Sequence, residues 1–254
     1  MKRWTLSHIA VWVFTVAVLT LPAGNLFKVD AQVGQVPFRL ERWIYSQHDG
    51  QLALKEIVYG NGTGSIGFIR SSRVKPDRYV VREIEQTDGL YATMIDELRI
   101  GFNVVKPLDH ASWRLRAAES GCVEHPGETS EGVEMIEGVS TMKIVVGNPA
   151  AHRTTEWRAP ALACTVLRRL VEATGPGGVT TPAMEYKIIS LSLARQDSGL
   201  FGIPSDYVEV LPSNLYQRLA ILSGLETPPE SRAAFAKRFQ ELDDSYSKQP
   251  HIAR

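Results

Sequence analysis

The stretch Leu52-Ala53-Leu54-Lys55-Glu56-Ile57, then Asn61-Gly62-Thr63-Gly64, then Ile66-Gly67-Phe68-Ile69-Arg70 decides the class of fold. Leu52, Leu54 and Glu56 fall on one side of an extended chain, and Ala53, Lys55 and Ile57 on the other. The Asn-Gly-Thr-Gly run between two such segments signals a tight turn. The pattern continues outward. Residues 78–85 are rich in Tyr79, Val80, Val81 and Ile84; Asp88-Gly89 marks another turn; an apolar run from Leu90 to Ile100 follows. Met142, Ile144 and Val146 again alternate with Thr141, Lys143 and Val145, and Ile189, Leu191 and Leu193 alternate with Ser190 and Ser192. Period-two segments with one polar side imply an antiparallel sheet with one packed face.

Two longer segments read as helices. Pro160 fits a first helical turn, Gly175 follows the end, and Leu162, Val166, Leu167, Leu170 and Val171 form a stripe between them. Thr227-Pro228-Pro229-Glu230 has capping-box spacing and opens a second helix with Phe235, Phe239, Leu242 and Tyr246 on one side. A shorter helix over Leu215–Leu222 starts at Ser213 or Asn214. The expected fold is therefore α+β: a strongly curved, half-barrel-like antiparallel sheet packed on helices, with a helical C-terminal tail. The expected divisions are residues 1–31, 32–211 and 212–254.

The N-terminus carries an address. Lys2 and Arg3 precede a 13-residue apolar run, Ile9 to Leu21. That length suits a signal peptide and falls short of the roughly 20 residues of a comfortable membrane span. Leu21-Pro22-Ala23 and Val29-Asp30-Ala31 both resemble cleavage sites, and an uncleaved anchor over residues 9–24 is the alternative. The chain reads as exported to the periplasm or cell envelope. Membrane contact is expected only through residues 9–24, if they are retained. In an oxidising compartment Cys122 and Cys164, 42 residues apart, fit either a disulfide or two separate packed thiols.

Charge narrows the partners. The 254 residues hold 28 basic and 28 acidic side chains. Residues 1–31 contain Lys2, Arg3 and Lys28 against Asp30, so the remainder has a net charge of −2. Phosphate-gripping proteins carry a basic excess, so no nucleic-acid partner is expected. Gly62, Gly64 and Gly67 spell G-x-G-x-x-G, but the strand-like Phe68-Ile69-Arg70 follows where a dinucleotide loop needs a helix. His8, His48, His110, His125, His152 and His251 lack metal-ligand spacing. No serine sits in a nucleophile elbow, and Asp243-Asp244 reads as a solvated pair. No catalytic residue, metal or cofactor is assigned.

Two further stretches, Glu156-Trp157-Arg158-Ala159-Pro160-Ala161-Leu162 and Leu200-Phe201-Gly202-Ile203-Pro204-Ser205-Asp206-Tyr207, carry a resemblance over roughly residues 50–210. Their pairing resembles exported bacterial proteins of unknown function related in pattern to the LolA/LolB-like lipoprotein-carrier half-barrels. The resemblance implies a curved sheet around helices with an apolar hollow. The residues themselves read as packing groups, with Pro204 fixing a turn. The leading expectation is a non-enzymatic envelope protein binding a hydrophobic or lipid-like ligand, or a peptide. The second is a structural or interaction protein of the envelope with a solid core and an N-terminal anchor, and an enzyme comes third.

Overall fold

Burial along the first strand sets the architecture. Phe38, Leu40, Arg42 and Ile44 are buried and their neighbours less so, the two-residue alternation of a strand covered on one side. The computed structural model describes residues 36–46, 50–105, 117–123, 126–147, 152–175, 179–224 and 232–248, the backbone alone at 232–235. Twelve strands are β1 (Pro37–Ser46), β2 (Leu52–Asn61), β3 (Ile66–Ser71), β4 (Tyr79–Glu85), β5 (Leu90–Ile95), β6 (Ile100–Val105), β7 (Thr129–Ile136), β8 (Val139–Val146), β9 (His152–Ala159), β10 (Thr165–Thr174), β11 (Thr180–Ser192) and β12 (Val208–Glu209). The helices are α1 (Pro212–Ser223) and α2 (Arg232–Ser247). All described residues belong to one unit, Gln32–Arg254.

The strands form a single sheet in the order β12-β6-β5-β4-β3-β2-β1-β11-β10-β9-β8-β7. Every pairing is antiparallel except β12 with β6. Two meanders, β1–β6 and β7–β11, meet at a central seam where Leu40 pairs with Leu191 and Trp43 with Lys187. The sheet ends at β12 and β7 and is not closed into a barrel.

This corrects the α+β expectation of a half-barrel packed on helices. The molecule is dominated by the twelve-stranded sheet, and α1 and α2 are the two α-helices longer than one turn among the described residues. The segment between Pro160 and Gly175 is the clearest reversal. Only Pro160–Leu162 makes a single 3-10 turn, and Thr165–Thr174 is strand β10, paired with β9 and β11. Ala163 and Cys164 adopt left-handed backbone, φ 51° and 56°, which no right-handed helix passes through. Beyond them, the segment pairs with β9 on one side and β11 on the other, and this tertiary context overrides its helical period.

The face carrying Phe38, Leu40 and Ile44 is the core face. Val58, Ile66, Leu162 and Leu167 join Phe38 and Leu40 in one apolar cluster. The two helices cover the β5–β6 end, where Leu215 and Tyr246 pack with Ile95 and Phe102. Tyr246 meets Phe102 edge-on at 5.9 Å, and Phe239 stacks on Tyr216 at 6.3 Å, so the α2 stripe docks on the protein itself. The capping residues Thr227–Glu230 lie outside the described residues. The Leu200–Tyr207 stretch forms a strap. Tyr207 packs with Ile84, Ala92 and Met94, and its hydroxyl donates to Asp96 at 2.7 Å. Phe201 meets Tyr59 edge-on at 5.2 Å, and burial pushes the Tyr59 hydroxyl up to about 12.

The glycine motif resolves into two jobs. Gly62 and Gly64 take left-handed φ of 78° and 96° in the β2–β3 turn, where the Asn61 side chain accepts from the amides of Thr63 and Ser65. Gly67 lies in β3 under the Tyr59 ring, and a Cβ there would fall 2.1 Å from it. Gly67→Ala should therefore cost about 2–3 kcal/mol in urea unfolding, through overpacking. Gly202→Ala, with open space around it and ordinary φ, should stay within about 0.5 kcal/mol. Equal stability of the two variants would refute this account of Gly67.

Candidate functional site

Arg42 sits among apolar neighbours on the core face of β1, so its charge must be met within the sheet. Directly across on β2 is Glu56, which accepts from Arg42 Nε at 2.5 Å and from Arg70 Nε of β3 at 2.5 Å. Arg70 continues to Glu83 on β4. On the other side of the seam Tyr186 of β11 lies between two guanidiniums, Arg42 at 4.8 Å and Arg169 at 4.9 Å from its ring. Arg169 donates to the Tyr186 hydroxyl at 3.0 Å and pairs with Glu156 on β9. Arg158 donates to Glu156 at 2.7 Å and clasps Glu128 with two bonds of 2.9 Å. Four guanidiniums thus face four carboxylates in a belt across the core face, two alternating halves joined at Tyr186.

The belt is dry at its key points. The side chains of Arg42, Glu56, Arg158 and Glu128 are 7%, 3%, 6% and 2% exposed. Burial alone would raise the Glu56 carboxyl. The guanidiniums of Arg42 and Arg70 more than offset that and hold it below its ordinary value of 4.5. Burial likewise opposes the Arg70 charge, and Glu56 and Glu83 hold it protonated, its pKa raised. The balanced chemistry of this belt serves register and orientation and offers no surplus charge to an ionic ligand.

Cys122 and Cys164 lie at its far end. Their Cα atoms are 5.5 Å apart with the sulfurs at disulfide distance, and both residues are buried. The pairing joins residues 117–123 to the turn before β10. It also sets the Cys122 carbonyl against Arg158, which donates to it at 2.8 Å.

A groove opens at the opposite end of the sheet. Leu98, Ile100 and Val210 form its floor, and Asn214, Gln217, Arg218 and Ile221 line it from α1; its volume is about 530 Å³. The four α1 positions are spaced i, i+3, i+4, i+7 and so share one helix face. Leu215 and Leu219 point instead into the core cluster. Ile221 is 77% exposed, an unusual position for a large aliphatic side chain. Arg218 is the only charged residue of the lining.

Of the residues weighed from sequence, Cys122 and Cys164 come together. His152 is exposed at the start of β9, and the other five histidines lie outside the described residues, as does the segment 1–31. Trp157 sits in β9 between β8 and β10 and donates to Glu134 at 2.7 Å. Among the described residues there is no group of three or more His, Cys, Asp or Glu side chains placed to hold a metal ion, and no helix long and apolar enough to cross a membrane. Sequence reasoning missed the belt, although alternation already put Glu56 on the Leu54 side of its strand.

The chain matches no family model and no curated protein. Among solved structures it is similar to an uncharacterised conserved protein from Thermus thermophilus, with 10% identity, TM-score 0.42, and 69% of this chain and 90% of that chain covered. It is also similar to the Pseudomonas aeruginosa MucA/MucB complex structure, at 11% identity, TM-score 0.35 and coverage of 70% and 60%. A third is the Mycobacterium tuberculosis lipoprotein LppX, at 14% identity, TM-score 0.29 and coverage of 68% and 91%. Likeness at this level concerns the outline of the sheet and says nothing of activity.

Two outcomes test the belt and its end. Glu56→Gln should lose roughly 3 kcal/mol of stability at neutral pH, because buried Arg42 loses its counter-charge and half-buried Arg70 loses one of its two. The folded carboxyl titrates below 4.5, so its contribution is complete above that pH and disappears as pH falls through the folded value. The gap between wild type and variant should therefore narrow below about pH 4 in urea titrations. A gap that is absent at pH 7, or unchanged by acid, defeats the assignment. For the cysteines, unfolding in reductant should add about 2 Da, one hydrogen per sulfur, and the double Cys→Ser variant should lose about 2–4 kcal/mol.

Proposed function

We propose that this chain is an exported, non-enzymatic binding protein of the cell envelope, and that its ligand is amphipathic and lipid-like. The groove beside α1 carries this reading. Its aliphatic floor and the exposed Ile221 suit an acyl chain, and Arg218 suits an anionic head at the groove's margin. Apolar clusters and the ion belt occupy the core face among the described residues. This reading places the ligand in the surface groove. Cysteines at disulfide distance support an oxidising compartment, and the Lys2-Arg3 start with its apolar run supports export, with the segment either cleaved or kept as an anchor.

The packed core also favours a second reading, a structural or interaction protein of the envelope that carries no small ligand. Native mass spectrometry of the protein recovered from cells separates the two. The first reading expects an acyl-bearing adduct, and a fluorescent fatty acid should bind the Ile221→Asp variant at least about tenfold more weakly, the cost of losing one buried aliphatic contact. Absence of an adduct together with fatty-acid binding indifferent to Ile221 sinks the lipid reading.

A further inference from the structure

The reverse face of the sheet carries a second pattern, independent of the groove. Trp43 on β1 pairs in register with Lys55 on β2 and with Lys187 on β11. Trp157 on β9 pairs with Arg168 on β10 and with Lys143 on β8. Residues directly opposite each other in an antiparallel ladder point to the same face. Arg168 and Lys187 both approach Glu185, at 3.8 and 3.7 Å, so the two triplets adjoin. The result is one row, Lys55-Trp43-Lys187-Arg168-Trp157-Lys143, across six neighbouring strands. At the usual strand spacing it is roughly 24 Å long.

The aromatic rings act as posts that hold the cations apart. Lys55 Nζ is 5.2 Å from the Trp43 ring, Lys187 Nζ 5.0 Å from Tyr45, and Arg168 and Lys143 lie 4.8 and 5.9 Å from Trp157. The side chains of Lys187 and Arg168 are about half exposed, at 52% and 48%. Their shared carboxylate sits at loose distances. Lys143, at the row's end, is met by Glu131 at 3.1 Å and Glu134 at 3.9 Å. Exposed pairs of this kind are weak and exchange readily for other anions.

We propose that this row docks the protein on an anionic lipid surface. Phosphate head groups match the cations, and Trp43 and Tyr45 suit the boundary between head group and acyl chain, where lysine stems also lie. The same geometry disfavours other anionic partners. Nucleobases need open aromatic faces for stacking, and here cations cover them. An added peptide strand needs a free sheet edge, whereas all six strands are flanked on both sides.

Flotation with vesicles tests the proposal on the protein as recovered from cells. Phosphatidylcholine vesicles carrying roughly one-third phosphatidylglycerol should bind it at least about tenfold more tightly than pure phosphatidylcholine, and salt should erase the difference. A retained N-terminal apolar segment would bind both vesicles alike, so the ratio between them is the readout. Replacing both Lys55 and Lys187 by Gln should weaken binding to the anionic vesicles about 25-fold, at about fivefold per cation. Lys237→Gln, which removes one charge on the exposed side of α2, should leave it unchanged. Equal binding to both vesicles, wild-type affinity in the double variant with unaltered thermal unfolding, or tighter binding to a single-stranded oligonucleotide or an acidic peptide would each overturn it.

Discussion

Placing Arg42 on the buried face of β1 is the constraint from which the rest of the core face follows. An unmatched guanidinium among Leu40, Ile44 and Val58 would be prohibitively costly, so Glu56 must stand opposite it. Glu56 in turn lies between two arginines, and the charge is passed from strand to strand until Glu83 on one side and Glu128 on the other. Such a belt contributes little net stability compared with apolar packing of the same volume. Its effect is on register, because a slip of one residue would turn Arg42 to the reverse face and strand Glu56 among apolar groups.

The two faces of the sheet therefore use charge in opposite ways. On the core face, guanidiniums and carboxylates alternate and cancel. On the reverse face, each tryptophan stands between two cations, and Lys187 and Arg168, adjacent in the middle of the row, are about half open to solvent. Both patterns arise from the same strands, since Arg42 and Trp43 are adjacent in β1, as are Arg168 and Arg169 in β10 and Glu156 and Trp157 in β9. One-residue alternation converts these neighbouring pairs into two unrelated surfaces.

Much of the sheet was legible in the sequence because alternation is a local property. Leu52, Leu54 and Glu56 are readable as one side of a strand, and Asn61–Gly64 as a turn, without knowledge of any partner. The segment after Pro160 was not, because Leu162, Val166, Leu167, Leu170 and Val171 fit a helical period, whereas along a strand they are divided between its two faces. What decides it is the presence of β9 and β11 on either side, together with left-handed backbone at Ala163 and Cys164. The belt was half legible: alternation put Glu56 on the Leu54 side, but pairing with Arg42 and Arg70 depends on register. The groove was out of reach, since its walls come from the 3-10 turn Asp96–Leu98, β6, Val210 just after β12 and α1, elements far apart in sequence that the β12–β6 pairing and the docking of α1 bring together.

The seam between β1 and β11 has a consequence for how the molecule is made. Leu40 meets Leu191 across about 150 residues of intervening chain, and the sheet is continuous only once that contact closes. The first meander can form early, yet the flank of β1 toward β11 must wait for a strand about 130 residues further along the chain. Until then Arg42 has Glu56 but neither Tyr186 nor the Val166 carbonyl, and β1 is a temporary edge. Folding of this topology is intrinsically slow. A chaperone that shields β1 until that contact forms would act on an edge that the finished protein does not possess.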